Sequence, residues 1–176
     1  MESRTSRWTS IAAIAAIAGC SSVLIAGDDW VTYIDATGSR LVAAPNIGAS
    51  DVDQKAYAWG DIAGDGDTDL VVARKPPFNT TGLRPNVLFL NEAGVLVDRT
   101  SDYASASDLE GDQGFLTPTN DTDVVLVDVT GDGLLDVVTA TTMSDAQPKA
   151  IGHPRVYRNL GHDNGGVWLG FIHEDT

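Results

Sequence analysis

A chain of 176 residues is long enough for one domain with one modest core. Hydrophobic residues at 43% and charged residues at 20% exclude a disordered composition. The net charge of −14 and pI near 4.2 argue against nucleic-acid binding, which needs clustered Lys and Arg to neutralise phosphates, and a lone cysteine excludes an intramolecular disulfide.

Residues 1–27 read as an export signal rather than as part of the fold. Arg4 and Arg7 form a weakly basic start. Residues 11–18 are an Ile/Ala stretch too short to span a bilayer but of the length of a signal-peptide core. Ile17-Ala18-Gly19-Cys20 resembles a bacterial lipobox, which implies lipidation of Cys20. Ordinary cleavage nearby and an uncleaved anchor extended through residues 23–26 are the competing readings. Export to the cell envelope, as a lipoprotein or a secreted protein, is the expectation. The membrane is engaged only through that lipid or anchor.

From residue 28 onward the chain repeats itself. Trp59-Gly-Asp-Ile-Ala-Gly-Asp-Gly-Asp-Thr-Asp-Leu-Val-Val-Ala73 aligns with Leu126-Val-Asp-Val-Thr-Gly-Asp-Gly-Leu-Leu-Asp-Val-Val-Thr-Ala140, at a step of 67 residues from Asp61 to Asp128. Pro85-Asn-Val-Leu-Phe-Leu-Asn91 corresponds to Pro154-Arg-Val-Tyr-Arg-Asn159, and Ile34-Asp-Ala-Thr37 parallels Val97-Asp-Arg-Thr100. Alternating apolar runs predict four short strands per unit. They fall near 57–60, 70–74, 87–91 and 95–98, then near 124–127, 136–140, 155–159 and 167–171. Residues 28–56 are assigned to the end of a preceding unit and a linker, 57–100 to one full unit, 101–123 to a connecting loop and 124–176 to a second unit. Pro-, Gly- and Asp-rich stretches join the strands, and no amphipathic helix is expected. Tandem four-stranded units are the pattern of propeller blades.

Two loops carry the chemistry. Asp61-Ile-Ala-Gly-Asp-Gly-Asp-Thr-Asp69 and Asp128-Val-Thr-Gly-Asp-Gly-Leu-Leu-Asp136 share Asp at positions one, five and nine and Gly at four and six. Calcium takes six to eight oxygen ligands, and closely spaced carboxylates repel unless a cation or N–H groups intervene. An EF-hand would need Glu at position twelve, where Val72 and Thr139 stand, each inside a strand-like run. The alternative to metal is a tight turn whose carboxylates accept backbone N–H groups.

The Asp-x-x-Gly-Asp-Gly-x-x-Asp loop followed by a Val-rich strand resembles the FG-GAP/VCBS repeat, also found in integrin α-subunit propellers. That resemblance covers most of residues 30–173. It implies an all-β fold of four-stranded antiparallel propeller blades, about two and a half of them, in an incomplete propeller. It implies calcium held by Asp61, Asp65 and Asp69 with the Asp67 carbonyl, and by Asp128, Asp132 and Asp136 with the Leu134 carbonyl. At position three, where the family has Asp or Asn, this chain has Ala63, with no side-chain oxygen, and Thr130, with a neutral hydroxyl. Modest affinity follows.

His153, His162 and His173 lack the spacing of a zinc pair and are expected on surfaces or loops. Trp59 and Trp168 are expected to pack between sheets rather than to stack on sugars. No nucleophile elbow, phosphate loop or dinucleotide fingerprint is present. The expected function is a non-catalytic, calcium-binding module for adhesion or for binding an extracellular protein or glycan. The alternatives are the propeller portion of a larger exported enzyme and a truncated structural product. With fewer blades than the four or more that close a propeller, either a longer chain supplies the rest or chains self-associate.

Overall fold

The structure is a computed structural model that describes residues 32–45, 47, 51–77, 82–141 and 153–174. The export signal and Cys20 lie outside these residues. Contacts divide the chain into two units, Met1–Gly38 and Ser39–Thr176. In the described part of the first, Asp35 Oδ1 accepts the Thr37 N–H at 3.0 Å, and one helical turn, α1 (Thr37–Arg40), begins there. The parallel segment behaves alike. Asp98 Oδ1 accepts the Thr100 N–H at 3.1 Å at the head of α2 (Thr100–Tyr103). The short match between residues 34–37 and 97–100 thus marks the same Asp-led turn.

The second unit is all-β and holds two five-stranded sheets, neither closed on itself. The first runs β1 (Leu41–Val42), β5 (Val95–Asp98), β4 (Val87–Glu92), β3 (Asp69–Arg74) and β2 (Gln54–Gly60) in spatial order. The second runs β6 (Ala106–Ser107), β10 (Phe171–Glu174), β9 (Arg155–Asn159), β8 (Asp136–Thr141) and β7 (Asp121–Val127). In each, four strands form an antiparallel meander and a two-residue strand adds in parallel at the outer edge. The sheets are therefore mixed and five-stranded rather than four-stranded and antiparallel. Leu41 and Val42, expected in a preceding unit, pair with Leu96 and Val97 of the sheet that follows them. The connecting stretch 101–123 carries α2, β6, a 3₁₀ turn at Gly114–Leu116 and the start of β7.

Alternation sorts the side chains between two cores. Val71, Ala73 and Leu88 on one face of the first sheet join Val124, Val137, Tyr157 and Phe171 of the second in the larger core. Leu70, Val72, Val87 and Phe89 on the opposite face pack under Leu41, Ala43, Ile47 and Leu96. Every residue of β3 is buried, which explains its unbroken Leu-Val-Val-Ala run. Phe115, from the 3₁₀ turn, meets Tyr157 edge-on at 4.5 Å between ring centroids.

The last strand lies at Phe171–Glu174, later than the expected 167–171. Gly170 adopts a φ of +81°, and its backbone passes so close to Tyr103 that a Cβ would sit 2.2 Å from the Tyr103 carbonyl oxygen. That close, left-handed bend keeps Val167–Gly170 out of the ladder. The shift also buries His173, expected at the surface, at 1% exposure. Trp168 is buried as expected and donates its indole N–H to Asn159 Oδ1 at 2.8 Å. Trp59 is 57% exposed, against the expectation of packing.

A buried ion pair completes the second sheet. Arg155 Nη2 meets both carboxylate oxygens of Asp112, at 2.8 and 2.7 Å, and Arg155 Nε donates to the Tyr157 hydroxyl at 2.9 Å. His173 Nδ1 lies 3.4 Å from Asp112 Oδ1 and 3.1 Å from the Ser107 hydroxyl. Burial pushes the Asp112 carboxyl up, but the Arg155 bonds and charge outweigh it and hold the carboxyl below its ordinary value. Burial pushes the Tyr157 phenol far up. Replacing Arg155 with Met strands a buried carboxylate and should cost about 3–5 kcal/mol, read as a lowered urea midpoint at neutral pH. The depressed carboxyl adds stability above the unfolded-state value of about 4 and loses it as pH falls through the lower folded value. Urea midpoints should therefore fall more steeply with acid in the wild type than in Asp112→Asn.

Candidate metal centre

Each acidic loop joins an edge strand of its sheet to its neighbour, β2 to β3 and β7 to β8. Gly66 and Gly133 take φ values of +91° and +88°, which L side chains rarely adopt, so the loop reverses there. The ninth-position carboxylates are fully buried. Asp69 Oδ2 accepts the N–H groups of Ile62 at 2.9 Å and Ala63 at 3.2 Å, and Oδ1 accepts that of Asn91 at 2.9 Å. Asp136 repeats the pattern with Val129 at 2.9 Å, Thr130 at 3.3 Å and Asn159 at 2.8 Å. One carboxylate thus ties the start of its loop to the third strand of its sheet.

The remaining loop carboxylates are exposed. Asp61 accepts the N–H groups of Asp65 and Gly66, both at 3.1 Å, and Asp65 accepts that of Asp67 at 2.9 Å. Asp128 accepts those of Gly131 at 2.7 Å, Asp132 at 3.2 Å and Gly133 at 2.9 Å, and the Thr130 hydroxyl approaches it at 3.5 Å. Asp132 accepts the Leu134 N–H at 2.9 Å. The loops differ electrostatically. Burial raises the Asp69 carboxyl against its three N–H partners, and the Asp65 charge adds to the rise. Backbone N–H groups, Gly133 first, lower the Asp128 carboxyl.

Among the described residues no three His, Cys, Asp or Glu side chains gather into a metal shell. The positions shown are those of a hydrogen-bonded turn, the alternative weighed from the sequence. The donor chemistry nevertheless fits a hard cation, because every side-chain donor in both loops is oxygen. A carboxylate offers four lone-pair sites. The N–H bonds above take three on Asp69 and two on Asp61.

The sequence reading missed Asn159 as a joint between the loops. Its Nδ2 donates to the Ile62 carbonyl at 3.0 Å and to the Leu135 carbonyl at 3.2 Å, so one side chain bonds both acidic loops. Its Oδ1 accepts the Gly161 N–H at 3.0 Å as well as the Trp168 indole. The signal was present in the repeat, since Asn91 and Asn159 stand at matching positions, but not the reach across sheets.

No family model, curated protein or solved structure matches the chain.

With EDTA present, Asp69→Asn and Asp136→Asn should each lower stability by about 1–3 kcal/mol, because an amide cannot accept all three N–H bonds. Asp67→Asn, on an exposed loop, should change it by less than about 0.5 kcal/mol. Urea unfolding of the three variants checks the contrast.

Proposed function

We propose that the chain is a non-catalytic, exported β-propeller-type repeat module whose two acidic loops take calcium, and that it serves adhesion or the binding of an extracellular protein or glycan. The observation that carries this reading is the recurrence of the whole unit. The two sheets share strand order, an irregularity near the start of the edge strand before the loop, a Gly-turned acidic loop and a ninth-position carboxylate on three N–H groups. A loop that needed only to turn would not require four Asp in nine residues, as in the first, or three, as in the second.

In this reading Asp61, Asp65 and Asp69 with the Asp67 carbonyl hold one ion. Asp128, Asp132 and Asp136, with Thr130 and the Leu134 carbonyl, hold the other. Calcium would supply the positive charge that these clustered carboxylates lack locally, and would stabilise strand pairing rather than perform chemistry. Blades of this kind present loops at one end of the sheets, where a partner is met.

Calorimetric titration of the full chain with calcium should give heat, and the melting temperature should rise. At a hundredfold excess over Kd the gain is about 2.7 kcal/mol. Asp65→Asn and Asp132→Asn should each weaken one site while leaving stability in EDTA near the wild-type value. Absence of both heat and a melting shift would sink the calcium assignment.

A further inference from the structure

One short segment touches both acidic loops. Asn159, at 1% exposure, ends β9. Its backbone N–H donates to Asp136 Oδ1 at 2.8 Å, and its Nδ2 donates to the Ile62 carbonyl at 3.0 Å and the Leu135 carbonyl at 3.2 Å. Ile62 in turn donates its N–H to Asp69 Oδ2 at 2.9 Å. A run of hydrogen bonds through two residues thus links the ninth-position carboxylate of one loop to that of the other. Gly161 and His162 follow the same course. A Cβ on Gly161 would lie 3.2 Å from Leu134 Cδ1 of the second loop, and one on Gly64 of the first would lie 3.4 Å from His162 Cε1. Asn91, at the matching place in the first sheet, bonds within its own sheet to Asp69 and Gly94.

The link acts in both directions. When the start of the first loop opens, the Ile62 carbonyl leaves Asn159, and a buried amide loses one of its two acceptors. When the second loop opens, Asp136 releases the Asn159 N–H and Leu135 withdraws its carbonyl. The side chain that holds Ile62 is then no longer fixed. Each loop is therefore easier to keep closed while the other is closed, because ordering one lowers the entropy that ordering the other costs.

We infer that Asn159 is a positioning residue shared by the two acidic loops, which makes them open and close together rather than one by one. A further consequence rests on the calcium reading above: an ion that fixes one loop strengthens binding at the other, and by linkage the effect is reciprocal. The first ion also removes negative charge that would attract the second. Physiological salt screens that opposing effect, whereas the bonds through Asn159 are direct contacts inside the protein.

Hydrogen exchange of the full chain, read amide by amide in EDTA and again in calcium, tests this. The reporters are the Ile62 and Ala63 amides of the first loop, both held by Asp69, measured against the Leu88 amide in the core of the same sheet. In EDTA, Asp136→Asn in the other loop should speed reporter exchange by about three- to tenfold, the worth of one hydrogen bond. In an Asn159→Ala background the same change should leave the reporters where they were. Trp168→Phe removes a partner of Asn159 Oδ1 but spares both Nδ2 bonds, so it should keep the effect and separate the link from general destabilisation. Calcium added to Asp65→Asn, whose first site is weakened, should slow the reporters by way of the second loop, and fail to do so once Asn159→Ala is added. Reporters indifferent to Asp136→Asn overturn the proposal, as does a response that survives Asn159→Ala. If Asn159→Ala does not fold, Asn159→Ser takes its place under the same criteria. A chain that shows the EDTA response but gives no heat with calcium keeps the link and loses the calcium reading.

Discussion

A buried carboxylate at the end of each acidic loop sets the geometry on which the rest depends. Asp69 and Asp136 open β3 and β8, and each gathers two N–H groups from the start of its loop and one from the third strand. Taking a carboxylate out of water costs several kcal/mol unless its oxygens are satisfied. Three N–H donors offset that cost and satisfy amide groups that the reversing backbone cannot pair with itself. The second strand of the meander, the loop and the third strand then share one register, and the exposed carboxylates are held on a fixed backbone.

The joints between the two sheets are less symmetrical than the sheets themselves. Asn159 bonds carbonyls in both acidic loops, whereas its counterpart Asn91 closes a local turn through Gly94. Asn86 of β4's approach donates to Asp121, which also accepts the hydroxyls of Thr119 and Thr141, so the start of β7 is anchored to the first sheet. The second sheet places Arg155 where the first has Val87, each opposite the matching residue of the neighbouring strand, Thr139 or Val72. A guanidinium in that position is tolerable because the stretch after β6 brings in Asp112. The same fold thus holds an apolar residue at that position in one sheet and a charged one in the other.

Local features of the fold were legible in the residues. The strands at 95–98 and 155–159 lie where alternation puts them, and the acidic loops fall between strands as their Asp-Gly spacing requires. The two-residue strands β1 and β6 were not legible. They are too short to show a period, and they pair in parallel with strands far away in the chain. His173 and Trp59 were misplaced for related reasons. The close pass of Gly170 against Tyr103 moves the last strand and draws the histidine inward. The tryptophan sits on β2, at the edge of its sheet, where its side chain stays exposed.

The sequence by itself determined the repeat, the strand-loop-strand character of the acidic segments and their all-oxygen chemistry, because these depend on periodicity and on neighbours within a few residues. The tertiary structure alone decided which carboxylates serve the backbone and that Arg155 and Asp112 meet, 43 positions apart. It also decided that Asn159 reaches Ile62, 97 positions away. The first contact comes from a connecting stretch folding back onto its own sheet and the second from one sheet meeting the other, and both join side chains whose separation along the chain carries no signal of their meeting.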